Sequence, residues 1–153
     1  MLAGPTDADN SDSLDEAALR ALAAEPGIAW LGPVEDVREV WRRAAIAVLP
    51  STYGEGLPKA LLEAAACARP IVATDMPGCR EIARPGETGL LVPPHDVEAH
   101  AEALAALAAD PECRQRMGRD ARLLVERDFA EQRIASQTLA LYRAALAERD
   151  AGR

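Results

Sequence analysis

Two carboxylates and two glycines share one short segment. Pro50-Ser51-Thr52-Tyr53-Gly54-Glu55-Gly56-Leu57-Pro58 follows an apolar run and precedes a stretch of helix-forming residues. Gly54 and Gly56 permit positive φ and let a ligand approach the backbone closely. Pro58 suits the first helical position, where an N–H would lack a partner anyway. The predicted result is a helix N-terminus whose unpaired N–H groups and dipole receive an anion, typically a phosphate. On the glycines alone a purely structural turn is the stronger reading. The carboxylates add chemistry. Glu55 lies in the loop, and Glu63 lies five residues beyond Pro58, roughly 7–8 Å along a helix axis at 1.5 Å per residue. Leu61-Leu62 and Ala64-Ala65-Ala66 flank Glu63, so its stretch reads as buried. A carboxylate there must find donors or be costly. Ribose hydroxyls would satisfy it; so would solvent, or a neighbouring arginine such as Arg69.

The other reactive residue types point elsewhere. Cys67, Cys79 and Cys113 form no paired spacing, and the only histidines are His95 and His100. A structural zinc site needs about four ligands at short paired spacings, so no metal is predicted. The odd cysteine count argues against a secreted disulfide scaffold and reads as reduced thiols. His95-Asp96 follows Pro93-Pro94 and reads as the N-cap region of a helix. His100 reads as solvated helix surface. Arg114, Arg116, Arg119 and Arg122 fall among acidic residues and read as a salt-bridged face rather than a polyanion site.

The elements that must position the loop follow from punctuation and period. Leu14–Ala24 has helical spacing with Asp12 or Ser13 as N-cap, and Pro26-Gly27 stops it. Ile28-Ala29-Trp30-Leu31 reads as a strand closed by Gly32-Pro33. Glu35 or Asp36 opens a helix through Val37, Val40 and Trp41. Ala45–Leu49 reads as a strand, Pro58–Cys67 as a helix, Pro70–Thr74 and Gly89–Val92 as strands. The remainder reads as helices at Val97–Ala109, Glu112–Glu126 and Glu131 to about Glu148. Apolar strands alternating with helices predict an α/β fold, a parallel sheet covered by helices. Ligands in such folds bind beyond the carboxyl ends of the strands, here the loops after Leu31, Leu49 and Thr74. Met1-Leu2-Ala3-Gly4 reads as the end of a first strand cut short.

Composition narrows the function classes. The chain has 153 residues, one ordinary domain, with a formal charge of −8 and 3% aromatic residues. An acidic chain with no basic stripe and few stacking rings is a poor nucleic-acid binder. No apolar run approaches the roughly 20 residues of a membrane span. No secretory leader is read at the start, so a reducing cytoplasm is the expected setting.

Gly54-Glu55-Gly56-Leu57-Pro58-Lys59-Ala60-Leu61-Leu62-Glu63-Ala64 resembles the Glu, seven residues, Glu motif of retaining, nucleotide-sugar-dependent glycosyltransferases of the GT-B fold (family four). The flanks are similar too. Trp30-Leu31-Gly32 with Val34-Glu35-Asp36-Val37 resembles the family's strand-Gly turn and next helix. Ala45–Ser51, Pro70–Asp75, Gly78-Cys79-Arg80-Glu81, Gly86–Pro93, Met117-Gly118 and Asp128-Phe129 resemble the remaining segments in order. The resemblance implies a Rossmann-like three-layer sandwich, one half of a GT-B fold with a helical C-terminal tail. It implies that residues 1–153 form one nucleotide-sugar-binding domain, with the acceptor domain absent.

By the same resemblance Glu63 holds the donor ribose and Glu55 contacts the transferred sugar as the catalytic carboxylate. The N–H groups of Gly56 and Leu57 face the diphosphate, with Gly54 in the same loop. Ser51 lines the crevice, and Gly32-Pro33-Val34 cradles the base. The donor is a UDP-, GDP- or ADP-linked sugar used as substrate, with no metal or cofactor. The full enzyme is expected in the cytoplasm or peripheral at the inner membrane face. Two departures stand out. Ala68 replaces an expected Gly before Arg69-Pro70. No counterpart is found of the upstream Arg and Lys that neutralise the diphosphate; Lys59, the only lysine, lies inside the motif helix. Charge stabilisation of this kind is usually the largest catalytic effect, so the chain alone is expected to be a poor catalyst. The alternatives are a non-catalytic nucleotide-sugar-binding module, an inactive fragment, or a nucleotide-sugar epimerase of the same overall fold. The apolar C-terminal stripe through Ile134, Leu141 and Leu146 is expected to meet the other domain or a second copy, or else to detach and fray beyond about Ser136.

Overall fold

The computed structural model describes residues 1–7, 9, 13–54 and 56–151, the side chains of 150 and 151 excepted. The chain divides into two compact units, Met1–Ala44 and Ala45–Arg153.

In the first unit α1 spans Glu16–Ala23 and α2 spans Val37–Arg43. Each is opened by an aspartate. Asp15 accepts from the Ala18 N–H at 2.7 Å and Asp36 from the Arg38 N–H at 3.0 Å. The cap of α1 is thus Asp15 and not Ser13, whose hydroxyl instead accepts from the Asp7 N–H at 3.1 Å; Asp12 lies outside the described residues. The strand expected over Ile28–Leu31 is reduced to one parallel bridge, Leu2 with Trp30. The ladder is real but minimal: Leu2 N–H donates to Ala29 O, Leu31 N–H to Leu2 O, and Gly4 N–H to Gly32 O. An apolar run becomes a strand only as far as its pairing extends, and here the pairing is with Leu2 and Gly4.

The second unit carries the sheet. β1 (Ala47–Leu49), β2 (Ile71–Thr74) and β3 (Gly89–Val92) pair in parallel in the order β1-β2-β3. Between and after them lie α3 (Lys59–Ala66), α4 (Pro77–Arg80), α5 (Val97–Ala109), α6 (Pro111–Asp128) and α7 (Glu131–Ala151). β2 is central, and all four of its residues are buried, as an apolar run in a parallel sheet requires. Leu107 of α5 and Met117 of α6 pack on Val72, with Ile46, Leu90 and Leu104 around them. The α/β fold with a parallel sheet is as the sequence predicts. Pro58 is a correction: it is the N-cap of α3 and not its first helical residue. With ψ at 115° its carbonyl still accepts the Leu61 and Leu62 N–H groups.

The turn out of α3 explains the departure at Ala68. Ala68 N–H donates to Ala65 O at 2.8 Å and Arg69 N–H to Ala64 O at 2.9 Å. These are the two bonds of a Schellman cap, and they place Ala68 at φ 56°, where glycine is the usual residue. A non-glycine residue in this region is strained by about 1 kcal/mol. Ala68→Gly is therefore expected to raise stability by about 0.5–1 kcal/mol, read as a higher urea midpoint with an unchanged slope. A lower midpoint would mean that the methyl group packs more than it strains.

Candidate functional site

The carboxyl ends of β1 and β2 are tied together first. Ser51 follows β1 and is buried, and its carbonyl accepts the hydroxyl of Thr74, the buried last residue of β2, at 2.5 Å. A hydroxyl this buried must be bonded, and this one fixes where the loop after β1 departs. Thr74→Val keeps the shape and removes this donor from the Ser51 carbonyl. It is expected to cost about 1–2 kcal/mol, read in urea unfolding. No change would show that another donor reaches the Ser51 carbonyl.

Beyond Ser51 the loop is open. Thr52, Tyr53, Gly54, Gly56 and Leu57 are exposed, and Glu55 lies outside the described residues. Gly54 and Gly56 do not adopt the positive φ that glycine permits. Their missing side chains matter for access, since a Cβ at either would meet nothing within 4 Å. The backbone there is uncovered. Pro58, by contrast, is buried and anchors the start of α3.

The start of α3 has no side-chain cap and no acidic residue in its first turn. Every other helix described from α1 to α6, the short α4 excepted, is capped by an aspartate. An uncapped start leaves N–H groups to be satisfied by water or an anion. One turn in, Glu63 is half-buried, with 30% of its side chain exposed. Its partner is Lys59, with Nζ at 3.5 Å from Oε1, and not Arg69. Arg69 lies past the Schellman turn, and its Nε donates to Cys67 O at 2.9 Å. The Lys59 side chain is 87% exposed, so this pair is weak and easily exchanged for another partner.

The segment after β2 was legible only in part. α4 is a single turn opened by Pro77. Asp75 at the end of β2 accepts from Arg80 Nε at 2.5 Å, and this bond holds the Asp75 carboxyl below its ordinary pKa. Glu81 is the exposed C-cap residue of α4. In the first unit Gly32 has φ 64°, and its carbonyl accepts from Gly4 N–H at 2.9 Å. Pro33 and Val34 beside it are exposed.

The remaining sequence candidates divide. Asp96 caps α5, accepting from the Ala99 N–H at 2.9 Å, as read from the Pro93–Asp96 run. His100 is half-buried rather than solvated, and its Nε2 is enclosed without a partner. Of the four arginines read as a salt-bridged face, Arg122 alone pairs with a carboxylate among the described residues, Glu126 at 2.7 Å. Arg114 donates to the carbonyls of Leu107 and Ala108, and Arg116 to Cys113 Sγ. Among the described residues no helix is long and apolar enough to cross a membrane.

Comparison with known proteins then decides the family. The profile described as glycosyl transferases group 1 matches residues 1–110. The chain belongs to the group 1 glycosyltransferases. Relatives of this family agree with the match. The chain is 37% identical over 153 residues to the alpha-maltose-1-phosphate synthase of Mycolicibacterium smegmatis, covering 94% of this chain and 39% of that protein. Sucrose-phosphate synthase from Thermosynechococcus elongatus superposes with a TM-score of 0.84 at 31% identity, over 96% of this chain and 38% of that one. Anabaena HepE in complex with UDP-glucose superposes with a TM-score of 0.76 at 21% identity, over 91% and 40%. The GT-B fold expected from the motif is thereby shown. The first curated relatives matched are spanned over only 10%, 24% and 39% of their length.

Proposed function

We propose that this chain is the donor-binding part of a glycosyltransferase that takes a UDP-, GDP- or ADP-linked sugar and transfers the sugar with retention of configuration. One observation carries the reading. A glycine loop at the carboxyl end of a parallel strand opens a helix that lacks a side-chain cap, with a half-buried carboxylate one turn in. The free N–H groups at the α3 start suit a diphosphate, and Glu63 suits the two hydroxyls of a ribose. In this reading the amides of Gly56 and Leu57 face the diphosphate and Glu55 contacts the transferred sugar. The nucleotide sugar is a substrate, and the site needs no metal.

Calorimetric titration with UDP, GDP, ADP and their sugar derivatives tests it. One base is expected to bind selectively, at roughly 0.1 mM or weaker, because only helix-end amides face the diphosphate; each about 1.4 kcal/mol lost is tenfold in affinity. No binding of any nucleotide would overturn the proposal. Sub-micromolar binding would show that other cations clamp the diphosphate.

The same reading gives α7 an occupant. Every side chain from 131 to 149 is exposed, Ile134, Leu139, Leu141, Tyr142 and Leu146 among them. Apolar surface of this extent finds a partner. In the whole protein that partner is proposed to be another domain; for this chain studied by itself it is a second copy. Light scattering at about 0.1 mM is expected to report a mass above the monomer. A clean monomer with strong amide-exchange protection along Gln137–Leu146 would sink this expectation.

A further inference from the structure

A second cleft opens at the opposite end of the same sheet. It has a volume of about 360 Å3 and is lined by Ala45, Ala68, Arg69, Pro70, Arg114 and Arg119, with Pro111 and Gln115 at the start of α6. Ala45 precedes β1, and Arg69-Pro70 precede β2, so the cleft sits at the amino ends of the strands. The glycine loop sits at their carboxyl ends, about 13 Å away along a four-residue strand. The two cannot be one site.

The lining is cationic in a chain whose formal charge is −8. It contains three arginines and no acidic residue. Two of the three are pinned. Arg114 Nη1 donates to Leu107 O at 2.5 Å and Ala108 O at 2.6 Å, and Arg69 Nε donates to Cys67 O at 2.9 Å. The bonds of Arg114 use one nitrogen of a guanidinium that carries five donors. Arg119 pairs with no carboxylate among the described residues. Beside the cleft, Asp110 is engaged as the α6 cap, accepting from the Cys113 N–H at 2.9 Å. Three like charges around one cavity repel unless an anion lies between them. Planar guanidinium forks match phosphate oxygens in pairs.

We propose that this cleft binds a phosphate group carried by a small soluble molecule, a diphosphate or a phosphomonoester, at the end of the sheet opposite the donor loop. The inference is independent of what the donor loop binds. A regulator or product that carries phosphate would act from here without competing for the donor site.

The test titrates the 15N-labelled 153-residue chain with inorganic pyrophosphate, against sodium chloride of equal ionic strength. Saturable amide shifts are expected at 68–70 and 111–119. Arg119→Gln and Arg69→Gln are each expected to weaken binding about tenfold, the scale of one charge-assisted contact. Arg122→Gln, whose side chain is paired with Glu126, is expected to bind as the parent does. Arg119 is exposed, so its variant should fold, and its unliganded spectrum verifies that. Shifts that do not saturate, shifts confined to 52–60, or full affinity in Arg119→Gln would each overturn the proposal. Vesicles containing phosphatidic acid present the same chemistry on a surface. Arg119-dependent pelleting with such vesicles, without a response to pyrophosphate, would also overturn it.

Discussion

Gly118→Ala is expected to destabilise the chain by about 1–2 kcal/mol, although the change improves helix propensity. Gly118 lies in the middle of α6, where an alanine would ordinarily gain about 1 kcal/mol. Packing decides the sign. A Cβ at Gly118 would stand 2.2 Å from Ala68 O and 3.0 Å from Ala68 C, both backbone atoms. Ala68 cannot retreat, because the two Schellman bonds fix it at positive φ. Nor can α6 move outward cheaply, because Met117, Ala121 and Leu124 beside Gly118 are buried. Overpacking of this kind costs typically 1–3 kcal/mol, occasionally more, and here it outweighs the propensity gain. Urea unfolding reads the effect as a lower midpoint. Gly56→Ala is the control: its Cβ would meet nothing within 4 Å, so the midpoint should hardly move. A stabilised Gly118→Ala would show that α6 and the α3–β2 turn are not in close contact in solution.

How much of this was legible depends on whether a residue's partner lay nearby in the chain. β3 and α5 have the boundaries read from sequence, because Pro93-Pro94 ends one and Asp96 caps the other locally. The strand over Ile28–Leu31 was over-read, because apolar character does not say how long the partner strand is. α4 was not read at all, since one turn of helix begins with the same Pro-Gly that makes a turn. At the site, spacing placed Glu63 correctly in the first turns of α3. Arg69, offered beside ribose and solvent as a partner for Glu63, is not the residue paired with it, because the Schellman turn that takes Arg69 off that face depends on Ala68 adopting a glycine conformation. Lys59, four residues before Glu63, was the better candidate by helical geometry alone. The arginines of α6 do not form the expected salt-bridged face, because two of them, Arg114 and Arg119, line a cleft built with other elements. No local pattern carries that information.

Glu63→Ala should weaken nucleoside diphosphate binding by about 1–3 kcal/mol, roughly ten- to a hundredfold, the scale of a lost hydrogen bond to a charged group. Stability without ligand should change little. The pair with Lys59 is largely exposed on the lysine side and contributes less than about 1 kcal/mol, and alanine offsets part of that by propensity. Three further measurements separate ribose binding from a structural role. Lys59→Ala removes the same ion pair and leaves the carboxylate, so it should cost far less affinity than Glu63→Ala. Glu63→Gln keeps an acceptor without the charge and should fall between the parent and the alanine variant. A 2′,3′-dideoxynucleoside diphosphate lacks the hydroxyls that Glu63 is proposed to hold. It should bind the parent and Glu63→Ala about equally, so the effects of substitution and of hydroxyl removal should not add. Additive losses would place Glu63 away from the ribose. Equal stability losses in Glu63→Ala and Lys59→Ala, with nucleotide affinity intact in both, would make Glu63 a helix ion-pair member only.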